Sequence, residues 1–209
     1  MRFSITIIDY NMSNLHSVVS AFEYNNFTAK ISSQKNDIVN CDCLILPGVG
    51  SFGVAMDNLK KTKIIDYIYE FVSKDKPLIC ICLGMQLLFE ESYENGFNSG
   101  LKILKGTVKK FNIDNIKYPI PHTGWNNIEL NLEKNNKLYK DMKQNEQMYF
   151  VHSYYVDPAD KGIISSFTNY ANINFCSSIN YKNIYGFQFH PEKSGKKGLN
   201  IYRNIEQLI

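Results

Sequence analysis

Pro77-Leu78-Ile79-Cys80-Ile81-Cys82-Leu83-Gly84-Met85-Gln86 runs from a short apolar segment, through a cysteine, into a second apolar segment with glycine two residues past the cysteine. A buried strand over Pro77–Ile81 that turns at once into a helix from Leu83 to about Glu91 makes a nucleophile elbow, a tight turn that lifts one side chain above the sheet edge. The N-terminus of that helix favours negative charge and so the thiolate of Cys82. The amide N–H of Leu83 would point at an oxyanion forming beside it. The same ten residues are equally compatible with Cys82 as a small core hydrophobe. A zinc site fits them poorly, because Cys-x-Cys pairs lack the usual spacing and ligand count.

Outward toward the N-terminus, strand and helix signals alternate. Phe3–Ile8 is β-rich, and Ser13–Tyr24 repeats Leu15, Val18, Val19 and Phe22 at helical spacing. Cys43–Leu46 is a second buried strand stopped by Pro47 and glycines, and Val54–Leu59 and Ile64–Val72 read as helices. Strands separated by helices imply crossover connections and a parallel sheet. Toward the C-terminus the composition changes to short Ile-, Val-, Tyr- and Phe-rich runs: Thr107–Asn112, Met148–His152, Ile163–Thr168, Phe175–Ile179 and Ile184–Phe189. These predict an antiparallel or mixed extension of the sheet, closed by an amphipathic helix from about Lys197 to Ile209. No repeat or long linker divides the chain, so a single α/β domain over 1–209 is expected.

A chain of 209 residues buries roughly 70% of its unfolded surface and needs no disulfide or metal staple. Its 23 basic and 20 acidic residues are too balanced to argue for nucleic acid or an acidic membrane. The cluster Lys102, Lys105, Lys109 and Lys110 reads as a solvated sheet face. Five cysteines, an odd number in mostly apolar surroundings, fit reduced buried thiols. The N-terminus lacks a signal-peptide pattern, and no apolar run approaches the ~18 residues of a membrane span. A soluble, cytoplasmic chain is expected.

A nucleophilic thiol needs a base, and the base needs an orienting acid. Of the four histidines, His190 lies in Gly186-Phe187-Gln188-Phe189-His190-Pro191-Glu192-Lys193-Ser194 at the end of an apolar strand. Glu192 follows within reach of the imidazole, where a carboxylate would fix its tautomer and stabilise the imidazolium. Leu46-Pro47-Gly48-Val49-Gly50-Ser51-Phe52-Gly53 is a second glycine turn after a strand. It lacks the Gly-Lys-Ser/Thr of a phosphate loop. It reads either as a plain strand-to-helix turn or as a backbone able to aim N–H groups inward beside the elbow.

These three motifs together resemble the triad-type (class I) glutamine amidotransferases. Three further stretches, Asp9-Tyr10-Asn11-Met12-Ser13-Asn14-Leu15, Pro121-His122-Thr123-Gly124-Trp125-Asn126 and Tyr149-Phe150-Val151-His152-Ser153-Tyr154-Tyr155, are similar to the glutaminase subunits of imidazole glycerol phosphate synthase. The resemblance extends from the first strand to Ser194. It implies a flavodoxin-like amidotransferase fold that takes glutamine as substrate, uses no metal or organic cofactor and pairs with a (β/α)8-barrel cyclase. That partner would use the released ammonia to make imidazole glycerol phosphate and an aminoimidazole carboxamide ribotide in histidine biosynthesis.

By the same resemblance Cys82 is the nucleophile, His190 the base and Glu192 its orienter, with Val49 and Leu83 supplying oxyanion N–H groups. Gly50, Gln86 and Glu94 match glutamine-binding positions, helped by the backbone of His152, Ser153 and Tyr154. Asn14, Pro121, His122, Trp125, Tyr149 and Lys193 match the face toward the cyclase. His122 and His152 read from the residues alone as satisfied structural histidines, and His16 as surface or interface.

The chain departs from the family pattern at Asn11 and Ser13, where glycines are usual, at Cys80, where the elbow usually opens with glycine, and at Thr123, where methionine is common. Asn enters the left-handed region readily and Ser is a good helix N-cap, so the first turn can survive. The departures keep open a paralogous chain that supplies ammonia for amidation of a surface-polysaccharide sugar. A catalytically silent regulatory partner and a cysteine hydrolase acting alone fit less well, the first because all the reactive positions are intact, the second because it leaves Pro121–Asn126 and Tyr149–Tyr155 unexplained.

Overall fold

The computed structural model describes residues 3–12, 14–113, 118–134 and 136–208. In chain order the elements are β1 (Ile5–Ile8), α1 (Leu15–Tyr24), β2 (Ala29–Ser32), α2 (Lys35–Asn40), β3 (Cys43–Leu46), α3 (Phe52–Lys61), α4 (Ile64–Ser73), β4 (Leu78–Ile81) and α5 (Leu83–Leu87). Two-residue β5 (Glu91–Ser92) and β6 (Asn98–Ser99) follow, then β7 (Gly106–Lys110), β8 (His122–Leu130), β9 (Glu146–His152), β10 (Tyr154–Pro158), β11 (Ile164–Tyr170), β12 (Ile173–Tyr181), β13 (Ile184–Phe187) and α6 (Gly195–Arg203).

The main sheet has nine strands in the order β2-β1-β3-β4-β13-β12-β11-β8-β9. Its first five strands are parallel neighbours, and from β13 onward each pairing is antiparallel. A smaller sheet, β10-β7-β5-β6, lies beside it. This is the expected α/β arrangement with a parallel centre and an antiparallel extension.

Apart from the edge strand β2, the parallel strands are buried on both faces. Along β4, Leu78 and Cys80 join one core and Ile79 and Ile81 the other. The strand β3 alternates likewise, with Leu44 and Leu46 on one side and Cys43 and Ile45 on the other. A two-residue period through two cores is why these segments read as unbroken apolar runs. Each buried Leu or Ile contributes about 1.5–3 kcal/mol.

Several boundaries differ from expectation. The helix after the elbow stops at Leu87, not Glu91. The carbonyls that would extend it are taken by the returning chain: Leu87 O accepts from Leu101 N, Leu88 O from Ile103 and Leu104 N, and Glu90 O from Gly100 N. The expected helix over Ser13–Tyr24 is observed from Leu15, with Asn14 in the cap position; Ser13, expected to cap it, lies outside the described residues. The last helix begins at Gly195 and gives way at Asn204–Leu208 to a 3-10 turn; Ile209 lies outside the described residues. Asn11 does take the left-handed backbone, with φ 62°. Of the lysine cluster only Lys109 and Lys110 lie on a strand, β7, and Lys109 pairs with Asp157 at 2.5 Å. The parallel strands β1, β3, β4 and β13 all deliver their C-terminal ends to one edge, where open α/β sheets bind their ligands.

Candidate active site

Cys82 occupies the turn between β4 and α5 with φ 53° and ψ −108°. A non-glycine residue there stores on the order of 1–3 kcal/mol of strain, so neighbours must impose it. One restraint is the Cys82 N–H donating to Phe187 O at 2.6 Å. Another is Gly84, where an added Cβ would sit 1.9 Å from Leu46 O, so helix and strand backbones meet in direct contact. Cys80 packs inside the core beneath, fully buried.

The thiol opens into a cleft of about 230 Å³ lined by Val49, Gly50, Cys82, Leu83, Gln86, Glu94, Pro121, Val151, His152, Ser153 and Tyr154. Every residue expected to bind glutamine or form the oxyanion hole therefore borders one space beside the expected nucleophile. Glu94 has a second attachment that the sequence did not signal: its carboxylate accepts the Phe52 N–H at 2.7 Å and so caps α3. A carboxylate fixed in this way at the cleft rim suits an ammonium group.

His190 and Glu192 stand behind the thiol. The His190 N–H donates to Tyr149 O at 2.9 Å, and Ser194 Oγ donates to His190 O at 2.6 Å while accepting from Tyr149 N. The turn is thus stitched to β9. His190 Nδ1 meets Glu192 Oε1 at 2.8 Å with both side chains fully enclosed. Burial by itself would lower the imidazole pKa, but the adjoining Cys82 and Glu192 outweigh it and hold it up at about 10. Burial likewise would raise the Glu192 carboxyl, and the hydrogen bond and charge of His190, helped by Asn14, keep it lowered. The pair is therefore an imidazolium–carboxylate ion pair. Nε2 of His190 is buried without a hydrogen-bond partner.

Glu192 is held by more than its histidine. Asn14 Nδ2 donates to Oε1 at 2.7 Å and Tyr202 Oη to Oε2 at 3.3 Å. Asn14, expected on the partner-facing side, thus spends its amide on Glu192, the expected orienting acid. Tyr202 lies far along the chain from the elbow, on α6, and carries no local signal.

The expected oxyanion donors are in a particular state. Leu83 N–H donates to Gly48 O at 3.3 Å, so in this conformation it is engaged. Gly50 has φ 102°, and Tyr10 Oη donates to Pro47 O at 2.6 Å, fixing the start of the glycine turn. Rotation of the Gly48–Val49 peptide would release the Leu83 donor and turn a second N–H inward.

His122 and His152 form a different couple. His152 Nδ1 contacts Tyr154 O at 2.8 Å, its Nε2 meets His122 Nδ1 at 3.1 Å, and His122 Nε2 meets Asn126 Nδ2 at 3.3 Å. A carbonyl at one end only accepts and an amide nitrogen at the other only donates, so both tautomers follow: each ring carries its proton on Nδ1. Burial lowers the pKa of His122 to about 4 and that of His152 to about 3. Both rings are neutral and satisfied. His122 is 3% exposed and its ring stacks on Tyr170 at 4.0 Å and Phe150 at 4.9 Å. The ring of His122, matched by resemblance to the partner-facing side, lies in the core of this chain, where β8 pairs His122 with His152 of β9. Pro121, Trp125 and Lys193 are exposed and Tyr149 half-buried; Trp125 is 54% exposed with its ring edge against Tyr149.

Among the described residues no group of three or more His, Cys, Asp or Glu side chains is arranged to hold a metal ion, and no helix is long and apolar enough to cross a membrane.

Comparison with known proteins places these features in context. The glutamine amidotransferase class-I family model matches residues 6–205. The imidazole glycerol phosphate synthase subunit HisH of Prochlorococcus marinus is 48% identical over 198 residues, 95% of this chain and 91% of that protein. The protein of the same name from Caldanaerobacter subterraneus is 45% identical over 205 residues, 98% of each chain. Among solved structures, PurLQS from Thermotoga maritima aligns with a TM-score of 0.75 at 19% identity, over 99% of both chains. A glutamine amidotransferase from the same organism gives 0.66 at 16% identity, over 99% of this chain and 85% of that one. At those identities the structures speak for the fold alone.

Proposed function

The chain belongs to the glutamine amidotransferase class-I family and, within it, to the HisH subunits of imidazole glycerol phosphate synthase; on that premise we propose that it hydrolyses glutamine to glutamate and ammonia for a partner subunit in histidine biosynthesis. The observation that carries the reading is the single cleft in which Cys82 meets the residues matched to glutamine binding. It sits in a chain 48% identical to a HisH protein over nearly its whole length.

The Cys82 thiolate attacks the carboxamide carbon of glutamine, and the charge passes to the carbonyl oxygen. Val49 and Leu83 receive that oxyanion once the Gly48–Val49 peptide has turned and Leu83 N–H has left Gly48 O. His190, held as an imidazolium by Glu192, gives its proton to the departing ammonia. A water deprotonated by the same ring then hydrolyses the thioester, and the sulfur leaves as thiolate. Glu94 and Gln86 hold the amino-acid end of the substrate with the backbone of His152–Tyr154. The partner is a (β/α)8-barrel cyclase, received on the exposed face around Pro121, Trp125, Tyr149 and Lys193. Docking there, next to the cleft wall at Pro121, supplies a route by which the partner shifts the oxyanion turn between its two states.

The relatives weigh toward the histidine pathway over the amidation of a surface sugar. The test is glutamate release from glutamine, alone and with a histidine-pathway cyclase and its nucleotide ligand, with Cys82→Ala as control. Strong stimulation by the pair, lost in Cys82→Ala, is expected. Turnover by this chain alone at its full complexed rate would remove the conditional oxyanion hole, and indifference to the cyclase would remove the pathway.

A further inference from the structure

Gln188 lies two residues before His190, fully buried, and no step above uses it. Its backbone N–H is bound to Ser177 O at 2.9 Å, which leaves the side chain for other work. Nε2 of Gln188 donates to Cys82 Sγ at 3.6 Å, a reasonable reach for a large sulfur acceptor. Its Oε1 accepts from Gln86 Nε2 at 3.0 Å. Gln86 Nε2 spends its other hydrogen on Tyr154 O, also at 3.0 Å.

The direction of this chain is determined from its far end. Tyr154 O is a backbone carbonyl and can only accept, so Gln86 must present its NH₂ there. The same NH₂ then faces Gln188, which must answer with its carbonyl and turn its own NH₂ toward the sulfur. Neither amide can be reversed without placing two acceptors in contact.

We propose that Gln188 is a catalytic residue of the glutaminase reaction, the neutral hydrogen-bond donor that holds and stabilises the Cys82 thiolate. The proposal rests on the glutaminase reading above. Two further observations give the donor a task. The helix behind Cys82 has five residues, so the dipole available to the sulfur is short. The charge on His190 also comes and goes during turnover: its proton leaves with ammonia and returns only when the ring deprotonates the hydrolytic water, whereas the Gln188 N–H dipole is constant throughout. When the second tetrahedral intermediate collapses, electrons return to the sulfur, and a fixed N–H dipole is in place to receive them. Because the dipole is anchored through Gln86 to Tyr154, on the wall that borders the substrate, the geometry at the sulfur is tied to that wall.

The experiment measures Cys82 alkylation by iodoacetamide as a function of pH in the intact chain and in Gln188→Leu and Gln188→Glu, with Cys82→Ala as blank, alongside kcat and KM for glutamine with the cyclase present. Burial raises the pKa of Cys41 to about 11 and those of Cys43, Cys80 and Cys176 upward as well, so reaction below pH 9 reports Cys82. In Gln188→Leu the alkylation midpoint should move up by about one pH unit, and further in Gln188→Glu, which keeps the volume and puts a carboxylate near the sulfur. The value of kcat should fall roughly 10- to 100-fold with KM changed less than about threefold, as for loss of one donor to a reacting anion. Alkylation profiles of both variants superimposing on the parent would overturn the proposal, whatever their melting temperatures. Should Gln188→Leu fail to fold, Gln188→Glu decides alone. Failure of the underlying reading shows separately, as glutamate release that survives Cys82→Ala.

Discussion

Two buried histidine couples lie close together in this protein, and they carry opposite charge states. His190 is enclosed with Glu192 and held up at about 10. His122 and His152 are also buried and are pushed down to about 4 and about 3. Desolvation acts in the same direction on all three rings. The difference is in what each ring touches: a carboxylate and a thiol in the first couple, an imidazole, a carbonyl and an amide in the second. Burial alone therefore does not predict the role of a histidine; the sign of its partner does. In the proposed mechanism the first couple holds a proton and releases it. The second is built never to take one, and it fixes the strand pair β8–β9 that forms the cleft wall.

The largest expected effect comes from taking the charge out of the first couple. Glu192→Gln should lower kcat roughly 10³-fold while leaving glutamine KM within a few-fold, in the range seen when the acid of a catalytic triad is neutralised. A loss under tenfold, measured with the cyclase bound, would mean that Glu192 is structural. Breaking the second couple should do the reverse. His152→Leu strips His122 Nδ1 of its acceptor and takes from Tyr154 O one of its two donors, leaving Gln86 Nε2, and should cost on the order of 2 kcal/mol, read as a fall of several degrees in Tm. Its turnover loss should be far smaller than that of Glu192→Gln.

The two couples also predict opposite limbs of a stability profile. His190 binds its proton more tightly folded than unfolded, so its contribution is complete below pH 6.5 and is lost as pH climbs toward about 10. His122 and His152 bind theirs less tightly folded, so theirs is complete above pH 6.5 and drains away as pH falls toward about 4 and about 3. Thermal melts from pH 4.5 to 10 should show both limbs, and over that range Glu192→Gln should move only the alkaline one, since the lowered Glu192 carboxyl adds its own loss only below pH 4.5. If that variant also erased the decline between pH 6.5 and 4.5, the neutral couple would not be its source. The smallest effect is reserved for Asn14→Ala, which removes one of the three donors on Glu192. A five- to tenfold drop in kcat, about 1 kcal/mol, is expected from loss of a single hydrogen bond to a charged group; an unchanged kcat would assign Asn14 to the surface alone.

What the sequence made legible has a physical pattern. Cys82, Gly84, His190 and Glu192 each lie where a strand ends, and their relation is local: a residue and its neighbour two places on. The central parallel strands β1, β3 and β4 were readable because burial on both faces leaves unbroken apolar runs; the edge strand β2, with Lys30 exposed, carries no such run and was not. Support from a distance was not readable. Asn14 reaches Glu192 across 178 positions, Gln188 reaches Cys82 across 106, and nothing in the local pattern announces either. The short helix α5 looks longer in sequence than it is, because its apolar run continues while its carbonyls are claimed by residues 100–104. His122 reads as outward because its motif matches a partner-facing stretch, whereas strand alternation sends that one ring inward.

The contact at Gly84 bears on ancestry as well as on chemistry. A methyl group there would collide with a main-chain oxygen 1.9 Å away, and no side-chain adjustment relieves a clash between two backbones. The position is therefore held by the fold whether or not the thiol ever turns over. A descendant copy that had lost its reaction would still be obliged to keep this glycine, yet would be free to lose Asn14 or Glu192, whose hydrogen bonds serve His190. In a set of diverged copies, a working enzyme is to be told from a retired one by the residues behind the imidazole, not by the elbow that first draws the eye.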